Sequence, residues 1–227
     1  MSVVFGYDGE RYAVLGTDTL TVDAKSGQTR VDLPKLQAWE GGWISGTGSA
    51  HVLEGLFAVL PVALASGKGD SAIEAKLKRE ADARAAAITL TEEQRSIYLP
   101  GTRVAFTAGT SDGCMICCFS PFDTAKLQRI AKHSAVALWP VDYEGTVAGF
   151  PKPDQAAPVM TQAIQTVAAI SSRIREASGH SEQVSSDVDI GVIIRASAGL
   201  DVCRFRGPGG EMAKARSLAD LTQYRTA

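Results

Sequence analysis

The chain has 227 residues, 45% of them apolar and 21% charged, enough to build one sizeable core, and is read as a single domain over 1–227. Lys and Arg number 23 against 25 Asp and Glu, so the net charge is −2, with no basic excess to neutralise a phosphate backbone; a nucleic-acid partner is excluded. The longest apolar stretch, Val52 to Ala65, is interrupted by Glu54 and Pro61 and falls short of the roughly 20 residues of a bilayer span, which excludes a membrane-spanning helix there.

The beginning of the chain has neither a basic n-region nor a long apolar h-region, and the expected compartment is the cytoplasm. Val3 to Tyr7 and Arg11 to Thr17 alternate as strands around Tyr-Asp-Gly-Glu and predict a hairpin. A polar stretch over 19–32 follows. Leu33 to Ile44 then supplies two short strands broken at Glu40-Gly41-Gly42. Gly46-Thr47-Gly48-Ser49 reads as a small-residue loop, with Ser49 capping a largely buried helix over Ala50 to Ala65. Asp70 or Ser71 caps a second, half-solvated helix, Ala72 to Ile88, in which Glu74 and Lys78 stand at the i,i+4 spacing of an exposed pair.

Strands return at Arg103 to Ala108 and Cys114 to Phe119. Met160, Ala163, Ile164, Val167, Ile170, Ile174 and Ala177 recur at helical spacing, with Pro158 suited to a first turn and Gly179 to a stop. Val188 to Arg195 and Leu200 to Arg206 make a closing strand pair before a Gly-Pro-Gly-Gly turn and a polar tail. Strands and helices in separate blocks indicate an α+β fold, since βαβ units would set a helix after nearly every strand.

Several local patterns fail on context. Gly109-Thr110-Ser111-Asp112-Gly113 has the spacing of a nucleophile elbow, but a strand follows it where a helix is required, so it is read as a hairpin turn. Cys114, Cys117 and Cys118 resemble half of a zinc site, yet only Cys203 remains to complete it; they are read as small apolar strand residues with reduced thiols, and no metal or other cofactor is expected.

What remains is a set: Ser2 at the front, Asp18 closing the second strand, Lys35 opening the third, and the Gly46 to Gly48 loop. Ser2-Val3-Val4-Phe5-Gly6, Leu15-Gly16-Thr17-Asp18, Lys35-Leu36 and Ile44-Ser45-Gly46-Thr47-Gly48-Ser49-Ala50 together resemble, in order and spacing, the opening of a proteasome β-type subunit, a member of the N-terminal-nucleophile hydrolases. Val188 to Ile194 resembles a late strand of that family. The resemblance implies a four-layer αββα sandwich, with two antiparallel sheets between helix layers. It also implies peptide or unfolded-protein substrates, a ring or spiral of identical subunits, and a possible ATPase partner. It casts Ser2, after removal of Met1, as nucleophile with its own amine as base, Lys35 as the cation that lowers that amine's pKa, Asp18 as its holder, and Gly46 N–H as oxyanion donor. For the family's late acid and serine the nearest match is Glu182 with Ser185, and Asp187 is the alternative acid. The family's Gly-Ser-Gly segment has no counterpart, so a non-catalytic scaffold stands as an alternative; and because the nucleophile chemistry does not choose the acyl group, so does a small-molecule amidase on the same fold.

Overall fold

The computed structural model describes residues 3–19, 21–22, 29–30, 35–138, 164 and 185–226. The chain opens with the expected hairpin, β1 (Val4–Asp8) and β2 (Tyr12–Asp18), in the register Val4↔Thr17 to Asp8↔Ala13. Gly9 N–H donates to the Tyr12 carbonyl at 2.9 Å, and Glu10 closes the turn with φ 66. Two-residue strands β3 (Thr21–Val22) and β4 (Thr29–Arg30) form a separate pair. β5 (Leu36–Trp39) and β6 (Gly42–Thr47) follow, then α1 (Ala50–Ala65) and α2 (Asp70–Ala87). The remaining elements in order are α3 (Glu92–Tyr98), β7 (Arg103–Gly109), β8 (Cys114–Phe119), β9 (Leu127–Arg129) and β10 (Ala135–Leu138). β11 (Asp187–Ala196), β12 (Gly199–Pro208) and β13 (Arg225–Thr226) complete the strands.

These make two larger antiparallel sheets, β10-β1-β2-β11-β12-β13 and β5-β6-β7-β8-β9. Successive strand residues point to opposite faces, and the buried side chains sort accordingly into three clusters. Val4, Ala13, Leu15, Leu36, Trp43, Ala105, Ile116, Cys118 and Ile193 meet between the sheets. Ile44, Val104, Phe106, Cys117 and Phe119, on the opposite face of the second sheet, pack against Val52, Leu56, Leu60, Ile73 and Leu77 of α1 and α2. Phe5, Tyr7, Val14, Ile190 and Val192, on the outer face of the first sheet, pack against the helical residues Ile164, Met212 and Leu221. Three apolar interfaces separate four layers, which is the αββα sandwich expected. The sheets approach closely where the Trp43 ring lies against Gly191; a Cβ there would fall 2.3 Å from the indole.

The structure departs from the sequence reading in several places. β6 runs through Gly46 and Thr47, so only Gly48 and Ser49 remain as a connection, and Ser49 precedes α1 without a side-chain cap. α2 begins at Asp70 after Gly69. Glu74 is buried and does not pair with Lys78: its carboxylate accepts from Lys126 Nζ and Leu127 N–H, both at 2.9 Å, while Lys78 pairs with Asp82. α3, held by a reciprocal Thr91–Gln94 capping box, was not anticipated. The tail contains helical turns at Gly209–Met212 and Leu218–Leu221 that carry Met212 and Leu221 into the core. Gly109 to Gly113, by contrast, is the expected hairpin turn, joining β7 and β8 with Thr110 N–H donating to the Gly113 carbonyl at 2.9 Å. Of the Met160 to Ala177 helix, only Ile164 lies among the described residues.

Two outcomes are expected. Leu15→Ala, which hollows the space between the sheets, should lower stability by about 2–5 kcal/mol, read as the loss in urea unfolding free energy. Burial pushes the Cys117 and Cys118 thiols up to about 12, so at pH 8 only about one part in ten thousand is thiolate. Ellman titration of the native protein at pH 8 should therefore leave both unlabelled until denaturant is added; rapid native labelling of either would contradict this burial.

Candidate functional site

Asp18 is the last residue of β2, the central strand between β1 and β11, and lies opposite Val188. Extending the β1–β2 register by one pair sets Val3 opposite Asp18 on the other side. The side chain is fully buried. Among the described residues, each of its oxygens meets a donor: Val3 N–H donates to Oδ1 at 3.0 Å, and Lys35 Nζ donates to Oδ2 at 2.8 Å. Lys35 is brought from the second sheet, immediately ahead of β5, and its side chain is only 7% exposed. Burial lowers the pKa of the ammonium, and the Asp18 carboxylate opposes that effect. The result is a buried ion pair clamped to the backbone at the start of the first strand.

Ser2 lies outside the described residues, but it is joined to Val3, the residue whose amide Asp18 holds. Glu182 also lies outside them. Ser185 is half-buried against the exit of β2: its Oγ accepts from Thr19 Oγ1 and from Asp187 N–H, both at 3.0 Å. Asp187, the alternative acid, is exposed at the start of β11 and faces Pro208 in register. Position 185 is thus brought to the end of β2 that carries Asp18, through a contact with Thr19 that the sequence did not signal.

Gly46 pairs with Val104 in β7; on its other side the Leu36↔Ser45 register, extended by one, sets Lys35 opposite it. A Cβ on Gly46 would lie 2.5 Å from Leu53 Cδ2 of α1 and 2.7 Å from the Arg103 carbonyl. Gly48, at φ +103, needs the backbone freedom of glycine, and its α-carbon packs where a Cβ would meet Thr102 at 2.4 Å. Thr102 Oγ1 accepts from Ser49 N–H at 3.0 Å and donates to the Tyr98 carbonyl at 2.7 Å, fixing the start of α1. Both glycines therefore have a packing role whether or not one serves chemistry. The cysteines form no cluster with His, Asp or Glu that could hold a metal ion among the described residues.

Asp18→Asn removes the carboxylate that the buried Lys35 ammonium is paired with and should cost about 3–5 kcal/mol in chemical denaturation. Adding Lys35→Met to that variant removes the ammonium as well and should restore part of the loss. A double variant no more stable than Asp18→Asn would show that the two side chains are not energetically coupled.

No protein-family model matches the chain, and none of the curated proteins compared matches it. A solved structure does: the Anbu (Gly-1) mutant from Hyphomicrobium sp. strain MC1 aligns over 96% of this chain and 94% of its own, with a TM-score of 0.56 and 12% sequence identity. At that identity the likeness speaks to the fold. With two antiparallel sheets enclosed by helical layers, the chain has the α+β, proteasome-like N-terminal-nucleophile hydrolase fold.

Proposed function

We propose that the chain is an N-terminal-serine amide hydrolase of the proteasome-like type. It acts on peptides or unfolded protein through an acyl-enzyme on Ser2 once Met1 is removed, as a homo-oligomer in the cytoplasm. The observation that carries this reading is the Asp18 carboxylate shared between Val3 N–H and Lys35 Nζ. Consecutive α-carbons are about 3.8 Å apart, so the residue joined to Val3 cannot stray far from this ion pair.

In the proposed reaction the α-amine of Ser2 takes the hydroxyl proton as Oγ attacks the substrate carbonyl. The Gly46 N–H stabilises the developing oxyanion, a role worth about 2.7–4 kcal/mol for a well-aimed donor. The amine then passes its proton to the departing nitrogen, leaving an ester on Ser2. Water cleaves that ester with the same amine as base. An α-amine titrates at about 7.7–8.0, and a neighbouring ammonium disfavours its charged form, so Lys35 lowers that value. Asp18 holds Lys35 in place, while Ser185, fixed by Thr19 and Asp187, and Glu182 are assigned to holding the amine.

Intact mass should show the loss of Met1, and fluorogenic peptide amides should be cleaved. Ser2→Ala should reduce kcat by about a thousandfold or more. The pH profile of kcat/KM should rise through an apparent pKa below about 7.7, with its midpoint moving upward in Lys35→Met. Unchanged hydrolysis in Ser2→Ala, or Met1 retained in active protein, would overturn the assignment.

A further inference from the structure

β6 and β7 carry two polar groups that no described interaction satisfies. The Arg103 guanidinium makes no ion pair or hydrogen bond among the described residues, although the residue is half-buried and its Nε is fully covered. The Ser45 hydroxyl, 0% exposed, is likewise without a partner. Strand alternation places both on the same face. In β7, Val104 packs toward the helices and Ala105 toward the other sheet, so Arg103 faces between the sheets. In β6, Trp43 faces between the sheets and Ile44 toward the helices, so Ser45 and Thr47 share Trp43's face. Thr47 pairs with Arg103, and Ser45 pairs with Ala105, one same-face step further in. The Arg103 charge is felt at the Cys118 thiol, which belongs to the inter-sheet cluster.

A covered guanidinium Nε and a dehydrated hydroxyl without partners among the described residues are costly to keep. A ligand, an ordered water or an ion can complete such groups. This pair sits beside the candidate centre. Arg103 contributes the carbonyl that closes against Gly46, and Lys35 lies across Gly46 on the other side, two strand spacings or about 10 Å from β7. A peptide carbonyl seated at Gly46 would carry its own or a neighbouring side chain into reach of Arg103, since an extended chain advances about 3.3 Å per residue.

We propose that Arg103, supported by Ser45, forms a carboxylate-recognition subsite beside the Asp18–Lys35 centre, selecting substrates with an acidic group at or next to the residue that is attacked. This rests on the peptidase reading for its role in catalysis, though not for binding. Arg is suited to the task because its planar fork offers two parallel N–H donors to one carboxylate, a match that an ammonium lacks.

The test uses full-length Ser2→Ala, which binds without turnover, and isothermal titration calorimetry with three peptides: acetyl-Ala-Glu-Ala-amide, acetyl-Ala-Gln-Ala-amide, and acetyl-Ala-Gln-Ala with a free C-terminus. One or both acidic peptides should bind about 10- to 100-fold more tightly than the neutral amide, and which one does so tells a side-chain carboxylate from a terminal one. Adding Arg103→Gln should bring all three within about twofold, whereas Arg103→Lys, which keeps the charge but not the fork, should retain part of the preference. Ser45→Ala should weaken the acidic peptides severalfold. Equal binding of all three peptides, failure of both acidic peptides to bind, or a preference that survives Arg103→Gln would overturn the subsite. Wild-type turnover is measured separately. A preference in binding without hydrolysis removes the peptidase reading and leaves the subsite standing; hydrolysis without preference does the reverse.

Discussion

One carboxylate with two obligations organises the end of the sandwich where the chain begins. A fully buried Asp is tolerable only if both oxygens are used, and Asp18 uses them on a backbone amide of one strand and an ammonium delivered from the other sheet. That arrangement ties together three stretches of chain: the start of β1, the end of β2, and the segment entering β5. Ion pairs removed from water contribute little net stability, because desolvating two charges offsets most of their attraction. An apolar pair of similar volume would hold these strands as well. What an apolar pair would not supply is a fixed positive charge at the end of the sandwich where β1 starts, which is the property the proposed base draws on.

The rest of the fold holds this geometry. β2 lies between β1 and β11, hydrogen-bonded on both edges, so Asp18 is anchored by Val3 on one side and Val188 on the other. The three apolar clusters fix the spacing of the layers independently of the charges. Trp43 sets the distance between the sheets most directly: its ring rests on Gly191, and its Nε1 donates to the Val192 carbonyl at 3.2 Å. Because Trp43 and Ser45 lie on the same strand as Gly46, the contact that spaces the sheets also places the residues flanking the candidate centre.

How far the sequence alone could lead depended on the range of each interaction. The β1–β2 hairpin and the β7–β8 turn are set by neighbours in sequence, and alternation with turn residues revealed them. Asp18 and Lys35 could be named from order and spacing, but that they touch follows from a crossing between sheets that periodicity does not encode. Glu74 shows the converse error. Its spacing from Lys78 was correct for a helix pair, yet its partners Lys126 and Leu127 lie more than fifty residues away, and two hydrogen bonds to a half-closed site outweigh one exposed ion pair. Ser45 and Arg103 carried no local signal at all; their significance appears only once register shows which face each occupies.

The small-residue run Ser45 to Ser49 illustrates why that face matters. As sequence, Gly46 to Ser49 reads as one small-residue loop ahead of a helix, with the Gly46 N–H cast as an oxyanion donor by the family resemblance. As structure it is two interleaved sets on a strand of period two. Ile44 and Gly46 face α1, where Leu53 leaves no room for a side chain at 46. Ser45 and Thr47 face the other sheet, where the Ser45 hydroxyl is buried with no hydrogen-bond partner among the described residues. The glycine is accounted for by packing, so its presence is weak support for an oxyanion role. Among the described residues nothing satisfies the Ser45 hydroxyl or the Arg103 Nε, and packing does not account for either. A polar group that the fold leaves unmatched is better evidence of a ligand than a glycine that the fold already needs.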